Sequence, residues 1–233
     1  MRPSPALAPL LAVLFAAAAM FFAQPASADP APPKPGWLIF SSSEAFPPPP
    51  VPFSVHYPAG FQKDGGTGSL ETPSAHDRIA GDGQNAVANA IVQSFRFRDP
   101  ENGRQVFMNI VTSVWSEEER LMVEKDGFPA LWETMGRGMA EAFGATFDGA
   151  RHFLHSGLQA ADMFFSRETK SDSGKEYSTL GAHRMVTKEA HGVTLSCYIT
   201  VNLADAKAEG FTSRDNPASS EYCTPFFDSL TFD

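Results

Sequence analysis

The feature that most constrains the fold is a strict alternation of apolar and other residues in VTLSCYITVNL, near the C-terminal end. Neighbouring side chains of a β-strand point to opposite faces of a sheet, so such a segment has two distinct faces. One face comprises Val193, Leu195, Cys197, Ile199, Val201 and Leu203, and the other comprises Thr194, Ser196, Tyr198, Thr200 and Asn202. The pattern predicts a long strand in the centre of a sheet.

Similar segments precede this strand. ARHFLH, QAADMFFSRE and EYSTLGAHRMVTK have β-rich composition, and turn residues follow each of them at 156–157, 171–174 and 191–192. Earlier in the chain, IVQSFRFRDPENGRQVFMNIVTSVW predicts a hairpin that turns at residues 99–103. PFSVHYPAGF predicts a first strand, and SLTF predicts a last one. Strands that follow one another through short turns favour an antiparallel sheet.

Two helices interrupt the strands. Ser116 and Glu119 have the spacing of a capping box, and Pro129 is placed to open a second helix after Gly127. An apolar helical face recurs at spacings of three and four in Phe128, Leu131, Trp132, Met135, Met139 and Phe143. A short helix starting at 215–217 carries Tyr222 and Cys223. The fold class is therefore α+β, an antiparallel sheet flanked by helices.

The chain has two cysteines, Cys197 and Cys223. Cys197 lies on the apolar strand face, where desolvation opposes formation of a thiolate, and no C-x-x-C spacing supports a redox catalyst. We therefore predict a structural Cys197–Cys223 disulfide. In the chain-entropy model, closing a loop of about 26 residues stabilises the fold by about 3.5 kcal/mol. A redox dithiol is the alternative.

The N-terminal region predicts export. Residues 1–28 read as a signal peptide, with Arg2, an apolar run and a cleavage site after Ala28. An uncleaved anchor is the competing interpretation. After cleavage we expect a periplasmic or secreted protein without stable membrane insertion. Residues 29–52 form a proline-rich extended arm, either a tether or a partner-binding segment, in which GWLIFSSS can dock as a strand or latch. Residues 53–233 make a single domain.

Charge and motifs exclude several activities. The net charge of −9 argues against nucleic acid as a partner. H-E-x-x-H, G-x-S-x-G and phosphate-loop patterns are absent from the sequence. His152 and His155 fall on opposite faces of a predicted strand, and Asp64, Asp77 and Asp82 lack calcium-loop spacing. We therefore predict no catalytic residue, no metal site and no cofactor.

A family resemblance emerges from these segments together. The FSVHYPAGF opening, the mid-chain amphipathic helix, the paired long strands and the closing FFDSLTF resemble the PsbP-like group, over roughly residues 53–232. That group includes lumenal photosystem II extrinsic subunits and exported bacterial proteins. The resemblance implies an α/β/α sandwich that acts as a binding or accessory protein, usually without catalysis. It transfers no functional residue to this chain.

The sequence therefore predicts an exported, non-catalytic binding or accessory protein of the cell envelope, with an envelope protein as partner. The alternative is an envelope enzyme or a small-ligand carrier. Its site would lie under the polar, glycine-rich loop 62–86, where His56, His76 and Asp77 would face one cavity.

Overall fold

The computed structural model describes residues 34–45, 48–64, 89–100 and 103–233. Within these ranges the strands are β1 (Trp37–Ser41), β2 (Phe53–Pro58), β3 (Gln62–Asp64), β4 (Asn89–Arg98), β5 (Gln105–Val114), β6 (Thr146–His155), β7 (Leu158–Lys170), β8 (Glu176–Lys188), β9 (His191–Asn202) and β10 (Thr231–Phe232). They form a seven-stranded sheet of order β3-β4-β5-β9-β8-β7-β6 and a three-stranded sheet of order β1-β2-β10. All of the pairings are antiparallel.

The strands predicted from alternation are confirmed. The hairpin is β4–β5, and the four later segments are β6 to β9. β9 lies fourth in the seven-stranded sheet, between β5 and β8, so the alternating segment is central as expected. The predicted signal peptide and its cleavage site lie outside the described residues.

β1 lies inside the range that the sequence assigns to the proline-rich arm. It pairs along its whole length with β2, from Trp37 opposite Pro58 to Ser41 opposite Ser54. Phe40 is 1% exposed and belongs to the main apolar core. GWLIFSSS therefore docks as a strand through its pairing with β2 and the burial of Phe40, whereas Leu38 and Ile39 stay 47% and 57% exposed.

The helical segments are α1 (Glu117–Phe143), α2 (Leu203–Glu209) and α3 (Thr224–Asp228), with a 3₁₀ turn at Ser42–Glu44 and a π-helical turn at Ser219–Cys223. The predicted capping box is present: the Ser116 hydroxyl accepts from the Glu119 amide, and the Glu119 carboxylate accepts from the Ser116 amide. α1 is kinked at Gly127, whose φ of 82° suits glycine. In the described part of the chain, no helix has the length and apolar character needed to cross a membrane.

The seven-stranded sheet is covered on both faces. On one face α1 packs Trp132 and Met139 against β7 and β8, where Met163 and Met185 are buried. On the other face a larger core contains Phe95 of β4, Leu195 and Cys197 of β9 and Phe226 of α3, and the small sheet closes it. The three layers confirm the predicted α+β fold, an antiparallel sheet flanked by helices.

The predicted disulfide is present. Cys197 of β9 and Cys223 at the end of the π-helical turn are bonded, with their Cα atoms 5.4 Å apart. Both residues are buried, at 0% and 6% exposure. The bond joins the middle of the large sheet to the C-terminal helical segment.

Replacing both cysteines, as Cys197→Ala/Cys223→Ala, is expected to lower the free energy of unfolding by about 3.5 kcal/mol, because the unfolded chain regains the entropy of an open loop. Urea denaturation followed by tryptophan fluorescence measures this loss. Wild-type protein kept in reductant is the control and should unfold close to the variant. Equal midpoints for oxidised wild type and variant would contradict a stabilising bond.

Candidate ligand-binding cleft

A cleft of about 680 Å³ opens where β6, β7 and β8 meet α2 and the segment 210–214. These strands are neighbours in the antiparallel sheet. The start of β6, the end of β7 and the start of β8 therefore lie at the same end of the strands. An apolar stripe along the cleft consists of Leu180, Leu203, Ala206 and Phe211. Its polar lining includes Ser166 and Ser178 together with Asp148, Glu168, Lys207 and Arg214, and Lys207 pairs with Glu168 at 3.5 Å. Apolar surface with a few polar groups is typical of ligand sites of this size.

A second, smaller chamber of about 210 Å³ shares Ser213 and Arg214 with this cleft. The sheet contributes Arg151, Asp162, Phe164, Ala182 and Arg184 to its wall, and the C-terminal helical segment contributes Cys223, Thr224 and Phe227. Ser213 and Arg214 therefore border both cavities. Ser213 is 5% exposed, whereas Arg214 is exposed.

Arg214 is held in place by neutral groups. Its guanidinium carbon lies 4.6 Å from the centre of the Phe164 ring, within the range of a cation–π contact. One guanidinium nitrogen donates to the backbone carbonyl of Asp148 at 3.2 Å. Among the described residues, Arg214 makes no ion pair with a carboxylate. The arginine therefore presents an uncompensated positive charge at the junction of the two cavities.

A β-bulge makes room for this guanidinium. The register of β6 against β7 shifts between Phe147 and Gly149, and Gly149 lies opposite Phe164. Gly149 has a φ of 104°, and a Cβ atom there would lie 3.2 Å from a guanidinium nitrogen of Arg214. A larger residue would be strained in its backbone and crowded against the arginine. Bulges often lie beside functional sites, where they reorient side chains.

A row of charges crosses three strands beside Arg214. Arg151 of β6, Asp162 of β7 and Arg184 of β8 are direct cross-strand neighbours. Arg184 binds Asp162 through two bonds of 2.7 and 3.0 Å, and Arg151 reaches the same carboxylate at 2.6 Å. Arg184 also donates to Asp228 of α3 at 2.5 Å. The row thereby ties the sheet to the C-terminal helix.

Arg184 keeps its charge inside the protein. It is 4% exposed and stacks between the rings of Phe153 and Phe227, at 4.8 and 5.2 Å from their centres. Burial lowers the pKa of Arg184, but the hydrogen bonds and charges of Asp162 and Asp228 outweigh burial, so its pKa lies above the ordinary value. Its positive charge is therefore matched by the two carboxylates.

His155 lies at the far end of β6 and contacts the C-terminal segment. Its Nε2 is 2.7 Å from the Leu230 carbonyl oxygen, and the residue is 8% exposed. Burial is the main cause that lowers the pKa of this imidazole, and the positive charge of Arg184 acts in the same direction. The neutral form, with Nε2–H donating to Leu230, is therefore favoured in the folded protein.

A second polar cluster lies on the α1 face of the sheet. His183 of β8 is 2.7 Å from the Ser196 hydroxyl through Nδ1, and its Nε2 bonds the Tyr198 hydroxyl. Ser196 and His183 are 2% and 5% exposed, and the Phe165 ring packs edge-on against the imidazole. The serine is closed to solvent, so this cluster is a satisfied core network rather than an open site.

Of the residues proposed from the sequence as a ligand site, His56 alone falls within the described ranges. His56 of β2 is half-buried, its backbone amide donates to the Ser229 hydroxyl at 2.8 Å, and burial lowers its pKa. It lines neither cavity. His76 and Asp77 lie outside the described residues, as does most of the loop 62–86, whose first residues form β3. A site under that loop stays a prediction.

The other candidate positions are now placed. His152 is exposed and stacks on Trp132 at 5.4 Å, on the opposite sheet face from His155, as the odd spacing predicts. Over the ranges that the structure describes, no group of three or more His, Cys, Asp or Glu side chains is arranged to hold a metal. Asp77 and Asp82 fall outside those ranges.

Sequence reasoning missed the charged row and Arg214. Asp162 lies between Ala160 and Phe164 on one face of β7, and Arg184 lies between Ala182 and Val186 on the same face of β8. A charge at an apolar position of an alternating strand is a signal of a buried pair. Arg214 is in an irregular segment, where no pattern identifies a partner.

Comparison with known proteins finds likeness in structure alone. No protein-family model matches the chain, and no curated protein is similar to it in sequence. The cyanobacterial PsbP of Synechocystis sp. has a similar solved structure, with a TM-score of 0.47 and 9% identity, over 90% of this chain and 100% of that one.

Two further solved structures are similar. The Ran-binding protein Mog1p of Saccharomyces cerevisiae has a TM-score of 0.41 and 11% identity, over 77% of this chain and 89% of that one. LpqN, involved in cell envelope biogenesis of Mycobacterium tuberculosis, has a TM-score of 0.36 and 9% identity, over 84% and 91%. The PsbP-like resemblance seen in the sequence thus recurs among solved structures, and it concerns the fold.

Removing the central carboxylate as Asp162→Asn should lower the free energy of unfolding by about 3 kcal/mol, because Arg184 stays buried with only one carboxylate partner. Asp228→Asn is the matched control: the Asp228 side chain is 57% exposed. Losing an ion-pair partner that is in contact with solvent should lower the free energy of unfolding by less than about 1 kcal/mol. Denaturant unfolding of both variants measures the difference, and equal losses would show that burial of the pair does not determine the stability.

The buried imidazole predicts a pH dependence of stability. The unfolded chain binds a proton at His155 with an ordinary pKa of 6.5, whereas burial lowers the pKa in the folded protein. Below about pH 6.5 the unfolded state therefore takes up a proton that the folded state resists, so stability decreases as the pH falls. His155→Gln should flatten the fall in unfolding free energy between about pH 7 and pH 5.5.

The matched control is His152→Gln, which removes an exposed imidazole from the same strand. His56, whose pKa burial also lowers, remains in both variants and accounts for a residual slope. A wild-type slope in His155→Gln would show that this imidazole does not resist protonation.

Proposed function

We propose that the chain is an exported binding or accessory protein of the cell envelope that performs no catalysis and holds a partner protein in the cleft centred on Arg214. The observation that carries this proposal is the placement of Arg214. Phe164, the Asp148 carbonyl and the bulge at Gly149 fix its guanidinium without supplying a negative charge. A guanidinium positioned in this way is prepared to bind an anionic group of another molecule.

The shape of the cleft supports a protein partner. The larger cavity combines the apolar stripe of Leu180, Leu203, Ala206 and Phe211 with hydroxyl groups and the Lys207–Glu168 ion pair. An extended segment of another protein has the matching chemistry, since it offers backbone polar groups together with alternating side chains. Arginine and aromatic residues are also enriched among the residues that dominate binding energy at interfaces.

Export is supported by two independent features. The N-terminal sequence has the charge, apolar run and small-residue pattern of a signal peptide. The Cys197–Cys223 bond is of the kind that persists in oxidising compartments outside the cytosol. The envelope or the medium is therefore the compartment in which a partner is to be sought.

A photo-crosslinking residue at Thr212, an exposed position in the lining of the cleft, should give a discrete adduct in intact cells of the producing organism. Arg214→Glu in the same chain should reduce that adduct about tenfold or more, because it places a negative charge where an anionic group binds. The matched control is Arg120→Glu, which changes an exposed arginine at the start of α1. It should leave the adduct unchanged.

A probe at Leu121, which is 56% exposed on α1, tests whether capture is specific to the cleft. Unchanged thermal unfolding of Arg214→Glu establishes that the variant is folded. The proposal is wrong if the Leu121 probe captures the same protein equally well, or if Arg214→Glu does not weaken the Thr212 adduct.

A further inference from the structure

The charges around the small chamber do not cancel. Arg151 and Arg184 share the Asp162 carboxylate, and Arg184 also binds Asp228. Arg214 adds a further positive charge to the chamber wall and has no carboxylate partner among the described residues. Three arginines against two carboxylates leave one net positive charge. An anion with a single negative charge would neutralise the group, even though the chain as a whole carries −9.

The remaining wall supplies hydrogen-bond donors and apolar surface. Ser213 and Thr224 line the chamber, and each has a hydroxyl group that can donate a hydrogen bond. Phe164, Ala182 and Phe227 provide apolar surface. A group that carries a negative charge beside an apolar side chain would satisfy both kinds of surface.

We propose that this chamber binds the C-terminal carboxylate of a peptide segment that ends in an apolar residue. The carboxylate accepts from Arg214 and from the Ser213 and Thr224 hydroxyls, and the apolar side chain packs on Phe164 and Phe227. The preceding residues run along the larger cleft. This inference rests on the proposed function, because it names the chemistry by which the same cleft recognises its partner.

A carboxylate fits better than a phosphate group on charge. A phosphate monoester carries close to two negative charges at neutral pH, which would exceed the single uncompensated charge of Arg214 and repel Asp162 and Asp228. A carboxylate carries one charge, and its planar pair of oxygens matches the fork of a guanidinium. The site therefore selects a monoanion.

The C-terminal residue fits better than an acidic side chain because of where its groups lie. A terminal carboxylate and the last side chain are attached to the same Cα atom, so both can enter a chamber of about 210 Å³. An internal Asp or Glu carries its carboxylate on an otherwise apolar stem and brings a continuing backbone with it. The chamber is backed by Cys223 and Phe227, and it shares Ser213 and Arg214 with the larger cleft.

The test uses the oxidised full-length mature protein and three synthetic hexapeptides. The first is acetyl-Gly-Ser-Gly-Ser-Val-Leu with a free C-terminal acid, the second is its C-terminal amide, and the third is acetyl-Gly-Ser-Gly-Glu-Val-Leu amide, which carries an internal carboxylate. Amide and arginine side-chain shifts in ¹⁵N NMR report the affinity and the position of binding. The free acid should bind at least about tenfold more tightly than either amide, as expected for a charge-assisted hydrogen bond.

Arg214→Gln should remove this preference for the acid, and Arg120→Gln should keep it. Shifts are expected at Gly149, Ser213, Arg214 and Thr224. Acetate should displace the free acid peptide at lower concentration than inorganic phosphate. The inference is wrong if the acid and the amide bind with equal affinity, or if the internal-glutamate peptide binds as tightly as the acid or more tightly. It is also wrong if phosphate competes more strongly than acetate, or if no Arg214-dependent binding is seen at millimolar peptide.

Failure of this inference is distinguishable from failure of the proposed function. An Arg214-dependent crosslink at Thr212, together with equal binding of acid and amide peptides, retains the binding function and removes the terminal carboxylate as its target. Selective binding of the acid peptide, without a Thr212 crosslink in cells, retains the terminal-carboxylate site and removes the proposed partner protein.

Discussion

The buried charge of Arg184 is the constraint on which the functional part of the structure depends. A guanidinium between two phenylalanine rings is tolerated only if carboxylates compensate it, and Asp162 and Asp228 do so from the sheet and from α3. Removing Asp162 would leave the buried guanidinium with the largely exposed Asp228 as its carboxylate partner. The C-terminal helix is therefore fixed relative to the sheet by electrostatics as well as by apolar packing.

This compensation also distinguishes the arginines of this region, because Arg214 has no carboxylate partner among the described residues. Arg151 and Arg184 are both engaged by Asp162, whereas Arg214 is seated on Phe164 and a carbonyl oxygen. The same sheet face thus contains a closed ion-pair row and, beside it, an open cationic position. Gly149, at the bulge of β6, has no side chain and so leaves room for the Arg214 guanidinium.

The fold follows from the sequence where periodicity acts locally. The alternation around Cys197, the hairpin β4–β5 and the capping box at Ser116 each determine an element from neighbouring residues, and all three are confirmed. Burial of both faces of β9 does not follow from the alternation. Its face with Ser196 is polar in sequence, yet it is buried, because His183 and Tyr198 satisfy it under the layer formed by α1.

The cleft did not follow from the sequence because its residues are distant in the chain and meet through register. Asp162 contacts Arg184 because β7 and β8 pair with those residues opposite each other, and the bulge in β6 shifts the neighbouring register. Alternation gives the face of a strand but not its register against the next strand. His56 was considered instead because a long loop follows it, and it lines neither cavity.

A disulfide and an ion pair both fix the segment 223–228, which forms one wall of the chamber. The disulfide holds Cys223, and the Arg184 contact holds Asp228, at either end of the segment that presents Thr224 and Phe227. Fixing both ends restricts the backbone of this wall before any ligand arrives. A partner that binds there loses little entropy in ordering the protein, so a modest number of contacts is sufficient for affinity. The covalent bond predicted from two cysteines thus stabilises the fold and also restricts a wall of the proposed binding chamber.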